Sequence, residues 1–347
     1  TDGDGNQLPY LDEITMNLTQ TAEPRYTAIS TGDVHVAASL PTNRVQNLNN
    51  QAGVEPEVIE GARALRLAFN HPNWDPVQPP GMVDPPEGCP IPANLGGTED
   101  AVKFKQGVMH SINIPAINEA MMDGLAGANH SHMPSWHIVY RDAEEQGLIN
   151  HYDHDPDRAM ELFEESIGDP ASIGTWNAHG EQEETADHTA LTIMEQNWSQ
   201  LGFDVNAEPL LWPEGFANWE WGGEESETRS ATCPTTPPDD QHTFLYQFDI
   251  LTPDPSAWLG INRWTPGFRD NRAHYLAAQD LCRDAATTID PDERHQKFVE
   301  LLGKLNNDVA HGVIFWLPRV WARRSEVRNL NVNPYLEYKF GDVWLDE

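Results

Sequence analysis

Lysine is scarce in this chain: Lys103, Lys105, Lys297, Lys304 and Lys339 are the only ones in 347 residues. Lys and Arg together number 21 against 55 Asp and Glu, a formal charge of −34 at pH 7. Nowhere do they form a block that reverses the field locally. A surface that repels phosphate excludes a nucleic-acid groove and disfavours an anionic membrane. Long apolar runs are missing too. The best stretch, Val309 to Trp321, is interrupted by His311, Pro318 and Arg319 and falls short of the roughly 18 apolar residues that a bilayer span needs. Cysteine is limited to Cys89, Cys233 and Cys282 with no C-x-x-C spacing, which argues against a zinc ribbon and a disulfide framework. Cys89 and Cys233 lie in Pro-rich loops, where one bridge is open to an extracytoplasmic protein, whereas Cys282 falls in a helical run and reads as a buried thiol. The sequence starts at Thr1 with neither an initiator methionine nor a signal peptide, and reads as processed or truncated.

What is abundant is carboxylate. Acid excess with little lysine suits a protein working in concentrated salt, where the Debye length falls to about 3 Å at 1 M and repulsion between carboxylates is screened. The charge then reports a salt-adapted habitat and not a substrate. Hydrophobic residues make up 39% of the chain, enough for a large core, and the length suggests about two domains.

Along the chain the patterns are those of an α/β protein. Ile14 to Leu18 alternates with period two and predicts a strand, Arg25 to Thr31 a short helix closed by Gly32, and Val34 to Val36 a second strand. Leu65 to Phe69 alternates again. Residues 71–100 carry eight prolines and four glycines and read as an insertion, with a domain boundary near Asn70. Helical periodicity resumes from Ala101 to Leu125, broken or restarted by Pro115. Asp155-Pro156 and Asp290-Pro291 are helix starts, the aspartate capping and the proline taking the first helical position. Leu191, Met194, Trp198 and Leu201 make one helix face, closed by Gly202, with a strand at Phe203 to Val205. Residues 214–241 form a second insertion, Thr243 to Ile250 returns to strand character, and Val313 to Leu317 is a continuous apolar run expected to be a buried strand.

No catalytic constellation is present: G-x-S-x-G, the phosphate-cradling glycine motifs and H-E-x-x-H are all absent. His130, His132, His137, His151 and His154 cluster in sequence and, with Asp153 or Asp155, leave a metal-dependent hydrolase open as an alternative function. Against it, the segment around Pro134 reads as loop and the histidines as satisfied or solvent-facing. Trp258 and Trp264 flank Gly260 after an apolar strand and a turn-rich Thr252-Pro253-Asp254-Pro255, a composition suited to the wall of a pocket for an organic ligand.

Taken in order, the motifs resemble a family. Leu8-Pro9-Tyr10-Leu11-Asp12-Glu13-Ile14 is similar to the "lPYLD-x-I" strand of the family 5 extracellular solute-binding proteins, the oligopeptide-, dipeptide- and nickel-type receptors of ABC importers. Ala28 to Val36 resembles "aL-x-sGevDia", with His35 where an Asp is usual, and Asn70 resembles the Asn of "N-x-x-xPf-d". Val102-Lys103, Tyr152 to Ala159, Gly202 to Val205, Asp254-Pro255, Asp290 to Arg294 and Val313 to Trp316 continue the series.

The resemblance implies a type II-like periplasmic-binding-protein fold of class α/β, two lobes joined by hinge strands, with lobe I incomplete. Residues 1–70 and 320–347 would belong to lobe I and 71–319 to lobe II. It implies a non-enzymatic protein without cofactor or metal, which captures a peptide-like or other small organic solute by lobe closure. The partner is an ABC permease, the chain a monomer, and the location the outer face of the membrane or the periplasm, with a lipid anchor in the full-length protein but none in this chain. In peptide-binding members an Asp three residues before the Asp-Pro pair meets the ligand ammonium. That position is Leu251 here, and the nearest carboxylates are Asp249 and Asp254. The expected ligand-binding residues are Phe248, Asp249, Thr252, Asp254 and Trp258, with Asn70 near the hinge.

Overall fold

The computed structural model describes residues 8–69, 99–181, 185–210, 243–249, 254–259, 278–335 and 338–346. The chain divides into two compact units, one of Thr1–Ala62, Met122–Gly127 and Leu317–Glu347, the other of Arg63–Met121 and Ala128–Trp316. The two insertions read from the sequence, and with them Cys89 and Cys233, lie almost wholly outside the described residues.

In the first unit, helix α1 (Ala22–Thr31) begins three residues ahead of the sequence expectation. It ends at Gly32, whose φ of 83° turns the chain so that the Asp33 N–H also reaches the Ala28 carbonyl, at 2.9 Å. Strand β1 (Val36–Ala38) lies two residues later than expected, and the short helix α2 (Val45–Asn49) leads into the 16-residue strand β2 (Val54–Phe69). Strand β6 (Gly312–Arg324) lies between β1 and β2, with Ala37 opposite Ala322 in an antiparallel ladder. Alternation along β6 builds two cores. Val320 and Ala322 pack with Ile29, Leu40, Leu48 and Val54 on one face, while Trp321 packs with Val327, Leu330, Val332 and Val343 on the other. Each buried Val, Leu or Ile side chain among these contributes roughly 1.5–3 kcal/mol. The small strands β7 (Val327–Arg328) and β8 (Asn331–Val332) pair with β10 (Trp344–Leu345) and β9 (Tyr338–Lys339) respectively.

The strand expected at Ile14 to Leu18 is not formed. Residues 13–19 contain neither turn nor bend, yet they pair with no described strand and are exposed throughout. A period-two pattern specifies a face; without a neighbouring strand to bond its backbone it remains an open arm.

The second unit alternates helix and strand. Its helices are α3 (Glu99–Ser111), α4 (Ile114–Met122), α5 (Ile138–Glu145), α6 (Pro156–Ser166), α7 (Thr185–Gln200), the single turn α8 (Pro255–Trp258), α9 (Gln279–Thr287) and α10 (Pro291–Asn307). Pro115 sits in the first turn of α4, where its missing N–H costs nothing, so the expected break falls at 112–113. Strand β3 (Thr175–Glu181) pairs in parallel with β4 (Asp204–Leu210) and with β5 (Thr243–Asp249), and β5 pairs antiparallel with the second half of β2.

Four elements of this unit start on Asp-Pro. The carboxylates of Asp155, Asp169, Asp254 and Asp290 accept backbone N–H groups at the starts of α6, a 3₁₀ turn at Pro170–Ile173, α8 and α10. Each satisfies a donor that the helix itself leaves orphaned.

The core between these helices and the sheet is aromatic. Trp176 and Trp198 stack with ring centroids 4.4 Å apart, and Phe163 meets Phe203 edge-on at 4.9 Å. Gly107 lets α3 approach α6, since a Cβ there would lie 2.8 Å from the Phe163 ring. On the same helix Lys105 is fully buried. Loss of water pushes its ammonium down to about 8, against the attraction of Asp308 and helped by the repulsion of Lys304. Cys282 is, as expected, a buried thiol in a helix. Burial pushes it up to about 12, which keeps it protonated and inert. Among the described residues no helix is long and apolar enough to cross a membrane.

Candidate functional site

In an open α/β sheet, ligands gather at the carboxyl ends of parallel strands. In the second unit that points to the exit of β5. Strand β5 is held on both sides: Leu245 lies opposite Gly180 of β3 and opposite Leu67 of β2, and is fully buried. Its last residues, Phe248 and Asp249, stand in register with Ala64 and Arg63 of β2.

The chain is next described from Asp254. Its Oδ1 accepts the Ser256 N–H at 2.9 Å and the Ser256 hydroxyl at 2.8 Å, fixing the turn α8. The Arg294 Nη2 lies 3.7 Å from the same oxygen, and the Arg294 guanidinium sits over the Phe298 ring at 5.5 Å. Partial burial would raise the Asp254 carboxyl, but the two Ser256 bonds, then Arg294, then His137, outweigh it and hold the group below its ordinary value. Asp254 is therefore an anion above mildly acidic pH, and one committed to local structure. Three element starts meet around it: the cap of α8 itself, Arg294 in the first turns of α10, and His137, which caps α5 by accepting the Val139 N–H at Nδ1.

Of the expected ligand-binding residues, Asn70 and Thr252 lie outside the described residues, as do Gly260 and Trp264. Phe248 and Asp249 occupy the carboxyl end of β5, and Trp258 the last position of α8. Arg63, Arg294 and His137 had no place in the sequence-based site. Arg294 was legible as part of a helix start, but nothing local indicates that it reaches Asp254.

The five clustered histidines separate into distinct structural tasks. His130 is buried with Nδ1 facing the Val313 and Ile314 carbonyls at 3.2 and 3.0 Å, and burial, partly offset by those bonds, lowers its pKa. His132 is buried against His311, with ring centroids 5.6 Å apart. His137 caps a helix, His151 faces Glu144 at 2.8 Å, and His154 is half-buried in the segment before α6. Among the described residues no three His, Cys, Asp or Glu side chains stand close enough to hold one metal ion. The hydrolase alternative finds no centre there.

Residues 4–249 match the family described as bacterial extracellular solute-binding proteins, family 5 middle. No curated protein matches the sequence. Among solved structures, AppA from Clostridium difficile superposes with a TM-score of 0.71 at 11% identity, over 95% of this chain and 60% of its own. DppA from Helicobacter pylori, in complex with the peptide STSA, gives 0.63 at 15% identity over 94% and 55%. NikA from Brucella suis, in complex with Fe(III)-EDTA, gives 0.68 at 13% identity over 94% and 60%. The chain thus spans somewhat over half the length of these proteins. The shared architecture is the type II periplasmic-binding-protein fold expected from the sequence motifs, and the family match covers most of the chain. The protein belongs to the family 5 bacterial extracellular solute-binding proteins.

Proposed function

We propose that the chain is the solute-capturing part of an ABC importer for a peptide-like or other small organic solute, working outside the cell membrane by lobe closure around its guest. The observation that carries this reading is the exit of β5. Strand β5 ends in Phe248 and Asp249, and the capped turn α8 ends in Trp258. An aromatic on either side of a carboxylate suits a ligand with an apolar body and a cationic end. In this assignment Phe248, Asp249 and Trp258 meet the solute, and Asp254, already bonded to Ser256, holds the turn that presents them. Thr252 and Asn70 complete the set. Two of the similar structures hold a peptide and a metal chelate, and this width of chemistry decides the test.

Closure follows from differential affinity: contacts made only in the closed state shift the equilibrium toward it, with no bond made or broken. Calorimetric titration with short peptides, sugars and metal chelates is expected to give saturable heat with the peptide class. Asp249→Asn should weaken that binding about tenfold or more if the carboxylate meets the ligand ammonium. Silence across all three classes would remove the proposal.

The charge of −34 and the shortage of lysine support a salt-rich working environment. Screening of carboxylate repulsion is then part of the fold's stability. The melting temperature is expected to rise by about 10 °C or more between 0.1 and 3 M KCl, most of it where the Debye length shrinks from roughly 10 Å to 3 Å. A melting temperature indifferent to KCl would refute the habitat assignment.

A further inference from the structure

The chain re-enters the second unit at Ala128 and leaves it at Trp316. Just after the re-entry comes a stretch that is buried yet irregular: residues 129–134 form neither helix nor strand, and each of residues 129–133 is at most 5% exposed. Buried backbone without a ladder has to find partners among side chains. Inside the stretch Asn129 and Ser131 supply them. The Asn129 Oδ1 accepts the Ser131 N–H at 2.9 Å, its Nδ2 donates to the Met133 carbonyl at 2.9 Å, and the Ser131 hydroxyl donates to the same carbonyl at 2.7 Å. Three ties then reach outward. Asn306 of α10 donates to the His130 carbonyl at 3.1 Å, Trp316 of β6 donates its indole N–H to the Ser131 carbonyl at 3.2 Å, and the His130 Nδ1 meets the Val313 and Ile314 carbonyls. Carbonyls only accept, so His130 carries a proton on Nδ1. Of the three side chains that make these ties, His130 is the one that ionises.

We propose that His130 is a pH-sensitive latch: neutral, it holds the re-entering chain to the start of β6, and protonated, it lets residues 128–134 open away from that strand. Burial makes an imidazolium costly at this place and moves the ring below its ordinary 6.5, the two carbonyl bonds offsetting part of the cost. From the loop before α6, His151 repels a charge on His130 and Asp153 attracts it, while the Tyr152 ring stands edge-on at 6.4 Å. Strand β6 presents carbonyls and an indole, α10 presents the neutral Asn306 amide, and His132 on the same stretch packs against His311. The sign follows. The opened ring binds a proton with its ordinary affinity and the latched ring more weakly, so opening is favoured as pH falls below 6.5. The gain is up to about tenfold per pH unit, until the latched ring itself takes up a proton. Both sides of the latch lie in the second unit and no solute takes part, so the device is independent of the capture function proposed above.

Hydrogen exchange of the wild-type chain in 3 M KCl, corrected for the intrinsic pH dependence of exchange, reads the latch directly. Between pH 7.5 and 5.5 the protection of the Ser131 and Met133 amides, which bond to side chains of their own stretch, is expected to fall about three- to tenfold. Amides of α7 should keep theirs, which separates local opening from unfolding. His130→Asn sets a neutral amide donor where Nδ1 stands and should abolish the acid response while leaving the stretch protected at pH 7.5. The ring itself gives a readout that needs no variant. By nitrogen and carbon chemical shifts, His130 is expected to be the Nδ1–H tautomer at pH 7.5 and to titrate below 6.5. Protection indifferent to pH, an acid response that persists in His130→Asn, or a His130 ring that titrates at 6.5 or above overturns the proposal.

Discussion

Replacing Lys105 with methionine is expected to stabilise the protein by about 2–3 kcal/mol at neutral pH. The side chain is fully enclosed, and burial brings its ammonium from 10.5 down to about 8. At pH 7 the lysine is still charged in the fold, so folding carries the cost of placing that charge away from water. Methionine is similar in length, has no charge and packs readily. Among the losses is the attraction between Lys105 and Asp308. That carboxylate keeps the Lys304 ammonium at 2.8 Å and the Asn307 amide at 2.8 Å, so it is not stranded.

The pH dependence fixes the sign. Between about 8 and 10.5 the unfolded chain holds a proton on Lys105 that the folded chain has lost, so wild-type stability rises with pH across this window. The penalty is complete below 8 and gone above 10.5. The difference between Lys105→Met and wild type, measured by urea unfolding, should therefore be largest at pH 7 and shrink toward pH 10.5. A variant less stable than wild type at pH 7 would mean that the attraction of Asp308 outweighs desolvation.

Trp198→Ala is expected to cost about 3–5 kcal/mol, enough to remove much of the margin of a typical domain. Trp198 is fully buried, lies nearly parallel to Trp176 at an interplanar angle of 16°, and donates its indole N–H to the Ser111 hydroxyl at 3.0 Å. Alanine removes the stack and leaves a cavity bounded by Trp176 and α3. Trp198→Phe keeps an aromatic face but no donor, and should cost roughly 1–2 kcal/mol, with the Ser111 hydroxyl still bonded to the Val108 carbonyl. Urea midpoints with unchanged slope, together with loss of the near-ultraviolet Trp signal in Trp198→Ala, would bear this out. A loss below 1 kcal/mol for the alanine variant would show that the helices collapse to fill the space.

What could be read from the sequence was whatever is decided within one turn of chain. The caps at Asp155 and Asp290 are of this kind: an acceptor, a proline with fixed φ and a periodic apolar face lie within a few residues, and both helices start where expected. The closures at Gly32 and Gly202 likewise show positive φ. Strand β6 was legible only in its apolar half, Val313 to Leu317. Its continuation through Pro318, Arg319, Arg323 and Arg324 is decided by β1, which supplies the ladder partners of residues 321–323. The same non-local dependence explains the opposite error at Ile14 to Leu18, where the pattern was right and no described strand pairs with it.

The site followed this rule. The turn at Asp254-Pro255 was visible as chain chemistry, while Arg294 and His137 reach it only through the packing of α5 and α10 around Asp254. The histidines erred in the other direction. Nearness along the chain suggested a shared ion, but the backbone sends His130 to the carbonyls of β6 and His151 to a carboxylate of α5.

The Asp-Pro starts bear on how the protein could be adapted to dilute buffer. Acids on so negative an exterior look interchangeable, and an engineer would exchange many for glutamine or lysine to lessen self-repulsion. Asp155, Asp169, Asp254 and Asp290 would have to be spared, because each serves a hydrogen-bond acceptor's purpose that the longer side chains fill poorly. A redesign blind to this would gain in colloidal comfort what it lost in helix initiation, and the two effects would have opposite dependence on added KCl.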